Sequence, residues 1–462
     1  MATIFGTNGV DELRGTATSD AIHGFWGDDS LVGVGGNDRL FGGNGADTLD
    51  GGDGTDLLDG GGGLDLIVYS SNTSPVRADL RTGVVSFPGQ RWRSETIVSI
   101  EGIEGGSAGD TFIGDGAANT FRGNNGNDAL SGNYGSDTLI GGAGNDSLDG
   151  GNGPDSLAGG FGNDTMRGDL HDDIFFSTVM VEEVDGDDAI LISDGVDFID
   201  GGAGSDTLVV TVPTYLEHWN RVWVTPGVKL NMALGTLVVA DAERERVVSI
   251  ENVETGDGDD AVNGSTADNL ISVHDGDNVV FAGAGNDTII GGEAGEETLN
   301  GGAGDDEIHG NGSIYIAPED YGGYTAVSTD ALSGGEGNDT IHTGWGMADV
   351  SGGEGSDTYV IADRVFTQVF GVYDFTYLHP SVTIMDFERG EKIELDVDPA
   401  HGPLTFVGRT TILEYSEIGY EVVGNDTIIT LRLAPLTEYD DDYIDRLQVT
   451  LADYTGPLPD LV

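Results

Sequence analysis

Cysteine is absent from all 462 residues, so no disulfide staples this chain and no thiolate is on offer to a soft metal. Basic residues are scarce, 18 Lys and Arg against 82 Asp and Glu. The resulting net charge of −64 excludes nucleic-acid binding through a cationic surface. No run approaches the ~18 apolar residues of a membrane-spanning helix. Met1 to Val10 has neither the basic nor the apolar stretch of a signal peptide, so a cleaved leader is not expected. Catalytic signatures are also missing. There is no H-E-x-x-H and no phosphate-binding G-x-x-x-x-G-K-[ST], and the eight His show no metal-ligand spacing. Gly105-Gly106-Ser107-Ala108-Gly109 fits G-x-S-x-G but lacks the strand–elbow–helix context of a nucleophilic serine. No catalytic residue is assigned.

Glycine and aspartate fill the sequence instead, and they do so periodically. Gly42-Gly43-Asn44-Gly45-Ala46-Asp47-Thr48-Leu49-Asp50 runs directly into Gly51-Gly52-Asp53-Gly54-Thr55-Asp56-Leu57-Leu58-Asp59, a nine-residue G-G-x-G-x-D-x-U-x unit with U apolar. The glycines permit a tight turn, the aspartate supplies a carboxylate, and x-U-x is a very short strand. A first array from Gly6 to Val68 holds seven units in one frame, with Asp11, Asp20, Asp29, Asp38, Asp47, Asp56 and Asp65 at position six. Position eight is Leu13, Ile22, Leu31, Leu40, Leu49, Leu58 and Ile67. A second array from Gly105 holds eight units to Phe176, with Asp110, Asn119, Asp128, Asp137, Asp146, Asp155, Asp164 and Asp173. After a six-residue slip, three more carry Asp188, Asp197 and Asp206. A degraded third array, Thr255 to His309, has Asp260, Asn269, Asn278, Asp287, Glu297 and Asp306. An insertion follows, then three units with Asp339, Ala348 and Asp357.

So many glycines and so thin a hydrophobic stripe cannot offset the chain entropy, and the acidity adds self-repulsion. Calcium, a hard cation taking six to eight carboxylate and carbonyl oxygens, suits what each turn presents; magnesium prefers a tighter octahedron with retained water. The nonapeptide resembles that of the RTX (repeats-in-toxin) proteins. The resemblance implies an all-β fold of calcium-stabilised parallel β-roll solenoid arrays, two units per coil, folding only with metal. It also implies multiple Ca2+ ions sandwiched between turns two units apart, roughly 17 if every site fills. The position-six Asp residues above are the expected metal ligands, with Asn119, Asn269, Asn278 and Ala348 as weakened sites.

The expected organisation is array 1 at 6–68, a β insert at 69–104, array 2 at 105–209 and a second insert at 210–254. Array 3 follows at 255–360 with an insertion at 310–330, then a β-rich C-terminal cap at 361–462. The inserts resemble one another: Ile97-Val98-Ser99-Ile100-Glu101 in the first matches Val247-Val248-Ser249-Ile250-Glu251 in the second, which points to an internal duplication. Arg77, Arg81, Arg91 and Arg93 are read as partners for local acids. Tyr215, Trp219 and Trp223, beside His218, form an aromatic group that either fills a core or stacks on a sugar-like ligand. The interruption adds Tyr315, Tyr321 and Tyr324.

Near the end, Val382-Thr383-Ile384-Met385-Asp386-Phe387-Glu388-Arg389-Gly390 and Asn425-Asp426-Thr427-Ile428-Ile429 resemble closing segments of RTX proteins, which cap the roll and carry an uncleaved type I (ABC) secretion signal. Tyr439-Asp440-Asp441-Asp442-Tyr443 reads as a solvated acidic turn, with a further metal loop as the alternative. Together these features lead us to expect an extracellular, calcium-folded, non-catalytic protein with a surface, adhesive or matrix role. The alternative is a calcium-dependent carbohydrate-active protein using the aromatic inserts on a polysaccharide or cell-surface ligand.

Overall fold

The computed structural model describes residues 2–90, 93–178, 180–184, 188–192, 195–212, 215–217, 222–224, 227–239, 244–292, 294–311, 314–316, 325–327, 329–344, 347–362, 381–385, 392–396, 405–409, 417–423, 426–432 and 446–451. Among these, every regular element is a strand. The chain forms two compact units, Met1–Pro213 with Gly235–Asn252, and Thr214–Leu234 with Val253–Val462.

In the first unit the x-U-x triplets within an uninterrupted array form strands of three to six residues that pair in parallel with the strand two units later. Arg39–Asn44, for example, pairs with Leu57–Gly62 in the register Leu40↔Leu58. Alternate nonapeptides therefore build two facing stacks, a parallel β-roll. Position eight points between them, and Ile22, Leu31, Leu40, Leu49, Leu58, Ile67, Phe112, Phe121, Leu139 and Leu157 are completely buried. Leu13, in the opening coil, is half-buried.

The first insert is a three-stranded antiparallel meander that keeps the stack continuous. Ser94–Val98 pairs in parallel with Leu57–Gly62, Arg77–Asp79 pairs in parallel with Thr111–Ile113, and Val84–Ser86 lies antiparallel to both. In the second insert, Glu245–Val248 pairs in parallel with Phe198–Ala203 and antiparallel with Thr236–Val239. Ser99 and Ser249 both adopt φ of 51°, and Gly83 and Gly235 both 66°, so the two inserts bend at corresponding points.

Among the described segments that leave the coil are two hairpins. Met180–Val184 and Asp188–Ile192 form an antiparallel hairpin, as do Ile314–Ile316 and Thr325–Val327. The sequence frame puts Asp188 and Ile190 in a roll unit. Instead Ile190 pairs antiparallel with Glu182, and Thr165–Leu170 takes Phe198–Ala203 as its next parallel partner.

The second unit repeats the roll. Val262, Ile271, Val280, Ile289, Leu299, Ile308, Ile341 and Tyr359 are fully buried inside it. Lys392–Asp396 extends one stack and Ser381–Ile384 the other. A β-rich cap follows: Arg446–Leu451 runs parallel to Ser381–Ile384, then Asp426–Arg432 and Glu417–Val423 add antiparallel strands. Tyr439–Tyr443 and Arg91 lie outside the described residues.

Candidate metal centre

The position-six aspartates form ladders along the turns. Most use one carboxylate oxygen to accept the backbone amide of the corresponding residue one coil earlier, usually 18 residues back. In array 1, Asp11, Asp29 and Asp47 donate to Oδ1 of Asp29, Asp47 and Asp65 at 2.8 Å. On the other side, Ala2, Asp20 and Asp38 donate to Asp20, Asp38 and Asp56 at 2.7–2.8 Å.

Array 2 carries the same pattern. One ladder runs from Val76 to Asp110, Asp128, Asp146, Asp164 and Asp197. The other runs from Asn119 to Asp137, Asp155, Asp173 and Asp206. The steps Asp164 to Asp197 and Asp173 to Asp206 span 33 residues against the usual 18, so the 180–192 hairpin is accommodated in an excursion of 15 residues. Both steps span the hairpin in which Asp188 lies.

In the second unit Val228 donates to Asp260 and Asp260 to Asn278. Asn269 leads to Asp287, Asp306, Asp339 and Asp357. Ala348 sits at a ladder position, paired with Asp330 and fully buried.

Three ladder residues escaped the sequence reading. Glu101 Oε2 accepts the amide of Asp65 at 2.9 Å, and Glu251 Oε2 that of Asp206 at 3.1 Å. The longer glutamate thus closes array 1 and array 2 in corresponding inserts. Asp330 Oδ1 accepts the amide of Glu297 at 3.3 Å. Its Asp330-Ala331-Leu332-Ser333 follows the D-x-U-x half of the repeat nine residues before Asp339, but no glycine-rich turn precedes it.

The second carboxylate oxygen has a different fate. Oδ2 of Asp29, Asp38, Asp47, Asp56, Asp65, Asp128, Asp137, Asp146, Asp155, Asp173, Asp206, Asp287, Asp306 and Asp339 is buried with no hydrogen-bond partner. A buried, unpartnered carboxylate oxygen is strongly unfavourable. Apart from Asp287, whose unit begins with Ala282, each faces a cradle that a side chain at the first glycine would fill. A Cβ on Gly132 would collide with Asp137 Oδ2 and lie 2.7 Å from the carbonyl oxygen of Gly150 in the next coil. Gly123 and Gly141 face Asp128 and Asp146 in the same way. Carboxylate and carbonyl oxygens converging on a small buried space are the donor set of a hard cation, so the residues fit calcium.

Burial raises these carboxyls well above their ordinary range, only partly offset by the backbone amides they accept. Asp128, Asp137, Asp173 and Asp306 rise to about 7. Asp56, Asp65, Asp146, Asp155, Asp206, Asp260 and Asp339 rise to about 6. Glu297 reaches about 8.

The RTX calcium-binding nonapeptide repeat family (4 copies) matches at residues 5–40, 32–67, 104–133, 122–157, 131–166, 149–178, 185–209, 254–289, 291–313 and 327–359, more than half of the sequence. The chain belongs to this family. Its RTX repeats bind calcium ions, and the calcium-stabilised parallel β-roll expected from the sequence is the fold it adopts. The 185–209 match includes Asp188, which lies in the antiparallel hairpin of this RTX chain. Among solved structures, the extracellular lipase LipA from Serratia marcescens is similar at 14% identity with a TM-score of 0.15. That similarity covers 79% of this chain and 42% of the lipase, so the RTX chain spans less than half of its length. No curated protein matches the sequence.

Other candidates are placed as follows. Ser107 of the G-x-S-x-G stretch donates its amide to the Asn72 carbonyl in a repeat turn. Arg81 pairs with Asp79 at 3.0 Å and Arg93 with buried Glu95 at 3.3 Å, as partners of local acids. Tyr215–Glu217 and Val222–Val224 form an antiparallel hairpin in which Leu216 pairs with Trp223. Trp219, His218, Tyr321 and Tyr324 lie outside the described residues. No described helix is long and apolar enough to cross a membrane.

An aromatic surface that the sequence reading missed lies on the outside of array 1. Phe5 stacks on His23 at 5.3 Å and His23 on Phe41 at 4.8 Å, with Phe25 flanking at 6.0 Å from Phe5. Phe5 and Trp26 are 62% and 61% exposed.

Proposed function

We propose that this protein is exported unfolded, folds on extracellular calcium and serves as a non-catalytic surface, adhesive or matrix protein. The carrying observation is the series of buried carboxylate oxygens with no hydrogen-bond partner. In this reading the ligands are Asp20, Asp29, Asp38, Asp47, Asp56, Asp65, Asp110, Asp128, Asp137, Asp146, Asp155, Asp164, Asp173, Asp197, Asp206, Asp260, Asp287, Asp306, Asp339 and Asp357. Asp11 holds the outermost coil. Glycine carbonyls complete each shell, and the ions offset part of the charge of −64. Millimolar calcium outside cells suits sites of this kind, whereas cytosolic calcium leaves them empty, so export by a type I (ABC) apparatus and folding proceed in that order.

The test is a calcium titration of the chelated full chain, read by circular dichroism and calorimetry with magnesium as control. A cooperative coil-to-β transition with many calcium ions bound is expected. A chain equally folded in chelator would overturn the reading.

A second reading, polysaccharide binding, is favoured by the partly exposed Phe5–His23–Phe41 stack, since aromatic faces suit sugar rings. Pull-down on insoluble polysaccharides would compare Phe5→Ala/Trp26→Ala with Tyr215→Ala/Trp219→Ala/Trp223→Ala. Retention lost in either variant supports the reading and locates its surface. Retention unchanged in both, or absent from the parent chain, removes it.

A further inference from the structure

We infer that Glu307, His309 and His342 form a transition-metal site on the outer face of the second unit, chemically distinct from the calcium ladders. Glu307–His309 and Thr340–His342 are adjacent parallel strands with His309 opposite His342. Their central residues, Ile308 and Ile341, are fully buried, so the flanking side chains at 307, 309 and 342 share the opposite face. The two imidazoles stack with centroids 4.2 Å apart and planes within 12°. Both present Nε2 to one carboxylate oxygen, with Glu307 Oε1 lying 3.1 Å from His309 and 3.7 Å from His342. One ligand atom from each residue falls within 4.8 Å of the others.

Two imidazole nitrogens and one carboxylate oxygen are the donors that zinc takes at about 2.0–2.2 Å, with a fourth position left for water. Donors around such an ion stand at most about 4 Å apart. The imidazoles and the glutamate are only partly buried, so small side-chain rotations close the remaining gap. Calcium, which takes oxygens, is a poor competitor here.

The sequence conceals this site because its histidines are 33 residues apart, brought together only by the 15-residue excursion beyond the 18-residue coil. Glu307 and His309 precede that excursion and His342 follows it, so a bound ion would tie its two ends together. The backbone around the site is already ordered by the core and the ladder, which makes the ion a clamp on a formed roll rather than a condition for folding.

The experiment uses the untagged full chain in saturating calcium, which keeps the ladder sites filled, with zinc chloride as probe in isothermal titration calorimetry. One zinc per chain is expected. Affinity should fall at least about 10-fold in His309→Ala and in His342→Ala, since loss of even a supporting partner of a metal ligand has effects of that size. His274→Ala, a surface histidine beside Glu254, should bind zinc as the parent does. Zinc should raise the melting temperature of the calcium-loaded parent and leave His309→Ala/His342→Ala unmoved, with circular dichroism verifying that each variant is folded. A parent with no saturable zinc site, or a site that survives in the double variant, would overturn the inference.

Discussion

The backbone amide of Asp137 donates to Oδ1 of Asp155 at 2.8 Å, while Asp155 Oδ2 stays buried without a hydrogen-bond partner. The same carboxylate thus supports one coil with one oxygen and leaves the other for a cation. The residue after it takes part as well, because Ser156 donates its amide to the carbonyl of Asp137 at 2.8 Å. In the proposed site, stacking and metal binding are joined in a single side chain.

Asparagine should separate the two roles. Asp155→Asn can keep an acceptor for the Asp137 amide but loses the charge, so fewer calcium ions and weaker binding are expected with the β-roll retained at high calcium. Asp155→Ala also strands a buried amide and should be less stable than Asp155→Asn by about 1–3 kcal/mol. Conversely, Asn119 has a buried Nδ2 without a partner, and Asn119→Asp should tighten calcium binding in array 2. Titration calorimetry and melts in excess calcium measure both; an Asp155→Asn chain with unchanged calcium stoichiometry and affinity would remove the assignment.

Stability should depend on pH in opposite senses with and without metal. Asp128, Asp137 and Asp173 titrate near 7 when folded, against an ordinary 3.8, because burial disfavours their charged forms. The folded, metal-free roll therefore binds more protons than the unfolded chain, and the stabilisation from protonation is full below about pH 4 and lost as pH rises towards 7. Calcium-free protein should thus show more β structure by circular dichroism at pH 4 than at pH 8. Protons compete with calcium for the same carboxylates, so the calcium midpoint should move to higher concentration as pH falls from 7.5 to 5.5. A midpoint independent of pH would contradict burial of these ligands.

Glycine substitutions should divide by backbone position. Gly144 has φ of 137°, and a Cβ there would collide with the carbonyl oxygen of Gly126 in the previous coil. Gly144→Ala should destabilise the calcium-loaded roll by at least about 2 kcal/mol. Gly116, with no atom within 4 Å of an added Cβ, should tolerate alanine. Melting temperatures in saturating calcium give the comparison; equal losses would show that the turn is not the constraint.

The first insert contains a buried ionic cluster whose partners should not be removable singly. Arg93 lies 3.3 Å from Glu95, donates to the Gly52 carbonyl at 2.6 Å and sits 3.7 Å above the Phe87 ring. Tyr69 donates its hydroxyl to Glu95 at 2.5 Å. Burial already lifts Glu95 to about 7. Arg93→Ala should lower stability by about 3–5 kcal/mol by leaving that acid without its cation, and adding Glu95→Gln should restore part of the loss. Chemical denaturation of the calcium-loaded variants tests this; a loss below about 1 kcal/mol would mean that the pair contributes little.

The repeat was legible in the sequence because its chemistry is local. Position six and position eight recur every nine residues, so Leu40, Leu49 and Leu58 could be assigned to the core and Asp47 and Asp56 to the turns without knowing which strand lies beside which. The carboxylate ladder follows once two units make a coil.

Tertiary structure decided what happens wherever that period is interrupted. Asp188 keeps the frame on paper yet enters a hairpin, because antiparallel pairing with Met180–Val184 takes its strand while Phe198–Ala203 pairs with Thr165–Leu170. Asp330 joins the ladder without a glycine turn, and Glu101 and Glu251 join it from inserts by virtue of one extra methylene. His309 meets His342, and Phe5 meets His23, through strand register alone. A period specifies what each unit contributes to its own turn and core. Which units become neighbours after an excursion is set by long-range backbone pairing, and the surface sites depend on those neighbours.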